Sequence, residues 1–412
     1  MKQTKTNYGF PLSVLTTLFF MWGFITCLND ILIPHLMNVF ELSYTEGMLV
    51  QFVFFTAYAL MSIPSGSLVS KIGYKNGIVV GLIIAAVGAL LFYPAAGMVS
   101  YPFFLFAFFV LASGITLLQV SANPYVAILG PADTASSRLT MTQAFNSLGT
   151  TIAPVIGSGL ILAVANEGVS AVSEAESVQT PYLAIAGALL LLAAIIAVIK
   201  LPVIINNEEK PEAAKSDVES LHKSAWGYRH LVLGAIGIFV YVGAEVSIGS
   251  FLVKFFELPE IGGLTESEGG RMLAFYWGGA MVGRFIGAAI LQKINPSKIL
   301  TINSIIAAVL VVATMLTSGH VAMYSILAVG FFNSIMFPTI FTLAIKKLGL
   351  HTAQASGILC MAIVGGAFIP LFQGLFADSS IGLHYSFILP VLCYFYIAWY
   401  GWKGHKIAPA TT

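Results

Sequence analysis

Long apolar runs recur twelve times along this chain, and they constrain its fold more than any other feature. The runs cover residues 12–37, 46–70, 77–97, 102–128, 139–165, 181–204, 231–257, 272–292, 299–317, 321–345, 353–377 and 385–402. A helix rises about 1.5 Å per residue, so roughly 20 apolar residues bridge a hydrocarbon layer about 30 Å thick. Inside that layer backbone polar groups find no water, which leaves only helices and closed barrels as spanning structures. The runs are continuous, not alternating, and therefore predict helices. The first continues through Asn29 and Asp30 without a small-residue cleavage site, so it is expected to stay as a span and not leave as a signal peptide. The expected fold class is an all-α integral membrane protein with twelve transmembrane helices.

Charge agrees with that count. Only 9% of the 412 residues are charged and 58% are hydrophobic, against about 25% charged in soluble domains. So few charges cannot cover a water-facing surface, and disordered chains have the opposite composition. Nineteen basic residues nearly cancel eighteen acidic ones, which argues against nucleic acid as a partner. With both termini placed in the cytoplasm, sixteen of the nineteen Lys and Arg fall in inside loops, Lys254 and Arg271 outside, and Arg284 within a span. That is the positive-inside bias, and a miscount by one span would scramble it. Cys27, Cys360 and Cys393 lie far apart in apolar runs and read as small buried hydrophobes, with no disulfide or zinc spacing.

The chain also repeats. Gly149 and Pro154 in the fifth span recur as Gly365 and Pro370 in the eleventh, and Gly114 in the fourth as Gly330 in the tenth, all at an offset of 216 residues. Two pseudo-symmetric six-helix halves follow, residues 1–204 and 231–412, joined by a polar cytoplasmic linker over 205–230. Such repeats place a substrate site near the membrane midplane between halves that rock to give alternating access.

Polar side chains at membrane depth are the candidate site. Asp30 and Glu245 are the only carboxylates well inside spans, and the 216 offset maps Glu245 onto Asn29. An ionisable group there costs about 2.5–3.5 kcal/mol on insertion scales, which favours function for Asp30. For Glu245 an ion pair with Arg284 explains the charge equally well. Trp22, Thr26, Asn29 and Asp30 share one helical face; Thr116, Gln119 and Asn123 share another, and Gln143, Asn146 and Thr150 a third, with Asn333 on the tenth span. One amide in a membrane helix is ordinarily helix–helix glue. Six of them with a carboxylate suit a ligand whose hydroxyls both donate and accept. Trp22 and the Tyr276–Trp277 pair offer rings on which a sugar stacks. The candidate lining is Asn29, Asp30, Gln119, Asn123, Gln143, Asn146, Glu245, Trp277 and Asn333. No Ser/His/Asp arrangement, Walker loop or dinucleotide fingerprint is present, so no enzyme and no ATP-driven pump is expected.

Several stretches resemble a known family. Gly66-Ser-Leu68-Val-Ser70-Lys71-Ile-Gly73-Tyr-Lys75 is similar to the loop motif of the major facilitator superfamily, with Ser70 where the family has Asp and Tyr74 where it has Arg. Leu28-Asn-Asp30-Ile-Leu, Gln119-Val-Ser-Ala-Asn-Pro124, Leu129-Gly-Pro131 and Gln143-Ala-Phe-Asn146-Ser resemble the branch containing bacterial fucose–proton symporters and glucose/galactose transporters. So do Tyr241-Val-Gly-Ala-Glu245-Val-Ser-Ile-Gly, Gly283-Arg284-Phe-Ile-Gly and Ser334-Ile-Met-Phe-Pro338-Thr-Ile-Phe. The resemblance implies a sugar cavity lined by Asn29, Asp30, Gln143 and Asn146, with Asp30 in substrate binding or coupling. Gln119 stands where the fucose type carries Glu, and Phe337 where it carries Tyr, which moves the pattern toward the glucose/galactose members.

The expected function is import of a neutral hexose, glucose- or galactose-like, by symport with a cation, Na⁺ ahead of H⁺. Asp30, Gln119 and Glu245 form the coupling set, with Asp30 the Na⁺ candidate. A fucose-type or N-acetylhexosamine proton symporter, or a drug/proton antiporter of the same fold, is the alternative. The expected setting is the bacterial inner membrane, with a monosaccharide and the lipid bilayer as partners, no cofactor beyond the coupling ion, and a monomer as the working form.

Overall fold

The computed structural model describes residues 9–41, 44–161, 178–199, 224–264 and 266–407, apart from the side chains of residues 9–10, 27–35, 37–38, 44–48, 51, 154–161, 266–267, 270 and 378. The chain forms two compact units, residues 1–209 and 210–412. Most of the expected linker, residues 205–223, lies outside the described residues.

The first unit holds α1 (Gly9–Val39), α2 (Tyr44–Gly97), α3 (Tyr101–Ile128), α4 (Ala135–Ile161) and α5 (Gln179–Val198). Residues 71–76, expected as a loop between the second and third spans, are helical on both sides of a single break at Gly73, where φ is +80°. No side chain crowds that position, so the backbone angle alone asks for glycine. The apolar part of α2, Phe52–Gly97, is 46 residues long, about twice what one crossing needs. It therefore makes two passes. Between α3 and α4, the Arg138 guanidinium donates to the carbonyls of Val126 (3.2 Å), Ala127 (2.6 Å) and Pro131 (2.8 Å). A cation thus satisfies carbonyls that a helix C-terminus leaves open.

The second unit holds α6 (Arg229–Glu257), α7 (Glu266–Ile290), α8 (Pro296–Leu316), α9 (Gly319–Asn333), α10 (Met336–Ala344), α11 (Thr352–Met361), α12 (Gly365–Asp378), α13 (Gly382–Ser386) and α14 (Ile388–Trp399). Asn295 starts α8 by accepting the Ser297 amide at 3.0 Å, with Pro296 in the first turn. The tenth pass is α9 and α10 around a two-residue break at Ser334–Ile335. The eleventh is α11 and α12, joined by a 3₁₀ turn at Ala362–Val364. The last is α13 and α14, finished by a π turn at Tyr400–Gly404.

Among the described residues nine stretches are long and apolar enough to cross a membrane, and Phe52–Gly97 counts twice. With α1 and the more polar α4, the passes number twelve.

The repeated glycines are sites of close helix approach. A methyl at Gly149 would run into the Phe20 carbonyl of α1, and one at Gly365 into the Phe239 carbonyl of α6. Each unit thus packs its first and fifth passes backbone to backbone. Gly114 and Gly330 are crowded as well, but against different passes, Ala85 of the third and Tyr276 of the eighth. Cys360 and Cys393 are buried free thiols; the side chain of Cys27 is outside the described residues.

Candidate functional site

In the first unit the candidate amides with described side chains lie on α3 and α4. Gln119, nearly fully buried, donates from Nε2 to the hydroxyl of Tyr58 on α2. Four residues on, Asn123 is fully buried, and neither its amide nitrogen nor its amide oxygen has a partner among the described residues. A buried polar group left unsatisfied costs about 1–3 kcal/mol, so this position calls for a hydroxylated or aqueous partner. Thr116, expected beside them, turns to its own helix and donates to the Ala112 carbonyl at 2.8 Å.

On α4, Gln143 is buried and Asn146 donates from Nδ2 to the Phe19 carbonyl of α1 at 2.9 Å. That bond lies where Gly23 of α1 meets the Asn146 backbone, so Asn146 acts as glue across the crossing. Thr150 donates to the Ser147 carbonyl at 2.8 Å, and Thr26 to the Trp22 and Gly23 carbonyls at 3.1 and 3.0 Å. Trp22 is buried against Phe19, with ring centroids 5.3 Å apart. Asn29 and Asp30 lie on α1, and their side chains are outside the described residues.

The second unit gathers its polar groups more tightly. Glu245 accepts from the hydroxyl of Tyr241, one turn earlier on α6, at 2.7 Å. Arg284 of α7 faces the same Glu245 oxygen, Nη2 to Oε1 3.8 Å, with both side chains only 13–14% exposed. The ion pair that competes with a functional role for Glu245 is thus present. The Tyr276 hydroxyl donates to the Glu245 carbonyl at 3.3 Å and accepts from the Asn333 amide at 2.9 Å. Asn333 is fully buried, and its side-chain oxygen has no partner among the described residues.

The two-ring platform needs correcting. Tyr276 is fully buried and committed to these bonds; only Trp277 is open, at 41% exposure. The rings meet edge to face at 5.1 Å, because neighbours on a helix point about 100° apart. Three further buried tyrosines, Tyr58 in the first unit and Tyr241 and Tyr394 in the second, were absent from the sequence-based lining. Tyr241 had a signal, four residues before Glu245 on one helical face. Tyr58, bonded to Gln119 in the first unit, and Tyr394, buried beside Asn333 in the second, had none, since each comes from a helix other than its partner's.

Buried polar side chains on membrane-length helices are the build of a membrane transporter. The chain belongs to the Major Facilitator Superfamily, whose family profile matches residues 14–370. It is 59% identical to the "Glucose/galactose transporter" of Brucella abortus biovar 1 (strain 9-941), over 98% of this chain and 96% of that one. It is 34% identical to the "L-fucose-proton symporter" of Escherichia coli (strain K12), over 94% and 91% respectively. The crystal structure of the E. coli fucose:proton symporter, FucP, superposes with a TM-score of 0.87 at 32% identity, covering 96% of this chain and 99% of that one. The protein is thus a multi-pass membrane transporter and not an enzyme.

Proposed function

We propose that this chain imports a neutral monosaccharide, a glucose- or galactose-like hexose, together with a cation, by alternating access in a bacterial inner membrane. The observation that carries the reading is the likeness, along 98% of the chain, to a protein named a glucose/galactose transporter. The chemistry of the buried side chains supports it. Among the described residues Asn123 holds an unpartnered donor and acceptor in one group, and Asn333 an unpartnered acceptor; a sugar hydroxyl answers both. Trp277 supplies an open aromatic face.

Coupling rests on Asp30. A bound cation neutralises that carboxylate and lowers the cost of closing a dry cavity over the sugar. Na⁺ is put ahead of H⁺ because Gln119, unlike a Glu, cannot take and release a proton. The proton alternative draws on the 34% identity to a protein named an L-fucose-proton symporter. Either way coupling is reciprocal: the sugar tightens the cation as much as the cation tightens the sugar. One charge moved through 100 mV is worth about 2.3 kcal/mol, roughly fifty-fold accumulation. Two six-helix halves joined by residues 205–230 and working as a monomer, with both termini cytoplasmic, complete the proposal.

Proteoliposomes test it. Labelled glucose or galactose should exchange in counterflow and accumulate when an inward Na⁺ gradient is imposed at fixed pH. Uptake unchanged without Na⁺ but sensitive to pH transfers the coupling to H⁺. Indifference to both removes coupling, and absence of counterflow across a hexose panel removes the sugar.

A further inference from the structure

The two units finish one kind of helix seam in different ways. In the first unit the third pass packs on α5, with Phe92 stacked on Tyr182; in the second, α8 packs on α14. Lys75 of the third pass spends its charge on its seam, donating from Nζ to the Ala197 carbonyl at the end of α5 (2.8 Å). The end of α14 takes no such donor. Its π turn closes on itself: the Tyr400 carbonyl accepts the His405 amide at 3.0 Å, and the Lys403 carbonyl the Lys406 amide at 3.2 Å. Gly401 lies against the Ser297 carbonyl and the Thr301 hydroxyl of α8, closer than a side chain would allow. Lys298 and Lys403 thus stand on the two sides of this seam. Both are exposed, and neither has an ion-pair partner among the described residues. Beside them the outer face is apolar. Leu392, Phe395, Trp399 and Trp402 are exposed at spacings of three and four residues, one stripe along α14 and its π turn. Ile302, Ile305 and Val309 make a matching exposed stripe on α8. The two tryptophans sit at the lysine end, and the Lys403 ammonium lies 4.4 Å from the centre of the Trp402 ring.

We propose that the seam between α8 and α14 seats one anionic phospholipid, its phosphate bridging Lys298 and Lys403 and its chains lying along the two apolar stripes. Each part of the lipid meets its chemical match. The stripes give acyl chains an apolar bed, and the tryptophans mark the level where chains pass into headgroups. The lysines offer a phosphate two cationic donors from two helices, with no carboxylate competing among the described residues. A zwitterionic headgroup brings an ammonium of its own, which the lysines repel, so the occupant is a lipid of net negative charge. The bridge does for the second unit what Lys75 does for the first: it ties the end of one pass to the neighbour it packs on. This seat lies on the outer face of one unit and stands apart from the sugar reading.

Native mass spectrometry tests it on the full chain in neutral detergent, titrated with dioleoylphosphatidylglycerol or dioleoylphosphatidylcholine. The first bound lipid should dissociate with a constant about twenty-five-fold lower for the glycerol headgroup than for the choline one, roughly fivefold for each lysine. Lys298→Gln combined with Lys403→Gln should bring that ratio to within about twofold of one, with choline-lipid binding at the unmutated level. Lys346→Gln combined with Lys347→Gln is the control. It removes the same charge from the same end of the unit, where the Tyr400 hydroxyl bonds to the His230 carbonyl and the His230 ring to the Lys346 carbonyl. That variant should keep the full preference. A ratio near one in the unmutated protein overturns the inference, whatever the variants do. So does a full preference that survives in the Lys298 and Lys403 variant. An equal loss in the Lys346 and Lys347 variant overturns it too, by making the preference a property of overall charge and not of the seam.

Discussion

At the scale of single residues, a charge at membrane depth must answer for its insertion cost, about 2.5–3.5 kcal/mol. Glu245 and Arg284 answer by facing one another at 3.8 Å. Asp30 has no basic residue in the spans of its own half, and on the proposed reading its counter-charge is the coupling ion. Asp30→Asn keeps the volume and hydrogen bonding of the site but cannot change charge. Gradient-driven hexose accumulation should then fall to the equilibrium level while labelled exchange continues, both measured in proteoliposomes. Accumulation at the unmutated level removes Asp30 from coupling. Which spans carry polar groups was legible residue by residue, because polar side chains stand out in apolar runs. What each group does was less so: Asn146 and Thr116 bond to carbonyls of α1 and of their own helix, respectively, whereas Asn123 bonds to none among the described residues. All three sit on similar polar stripes.

At the scale of elements, glycine spacing marks where helices cross. Gly365 lets α12 approach the Phe239 carbonyl of α6, and Gly149 lets α4 approach the Phe20 carbonyl of α1. Gly365→Ala should destabilise the protein by about 1–3 kcal/mol, the usual cost of overpacking. Gly187→Ala on α5 is the control, since nothing lies within 4 Å of a methyl there, and it should leave stability unchanged or raised by up to about 1 kcal/mol. Thermal melting in detergent compares the two, and equal melting temperatures refute the crossing argument. The offset of 216 residues was readable because it needs only identity at a period. That Gly114 and Gly330 meet different passes was not, since a period says nothing about which neighbour a helix face touches. The break at Ser334–Ile335 had a signal in Pro338, though a proline alone does not say whether another helix will supply the missing donor.

At the scale of the whole molecule, the few charges act as a map of sidedness. Sixteen of nineteen basic residues lie in loops of one predicted side. Single cysteines at Lys71, Lys406 and Lys254, in a chain freed of its own three, should report this with a membrane-impermeant maleimide. The first two should label only in inside-out vesicles and the third only in right-side-out ones. Labelling of Lys254 and Lys406 positions from the same side overturns the topology.

The sequence by itself determined the number of passes, the expected sidedness and which helices carry polar groups. The reason is that a bilayer is a ruler of fixed thickness, and composition along one helix is a local property. Tertiary structure decided which polar groups meet. Gln119 finds Tyr58 on another helix, and Arg284 finds the carbonyl that Pro338 leaves without a donor. Such pairings depend on the rotation and crossing of helices that lie far apart in the chain, and those follow from packing.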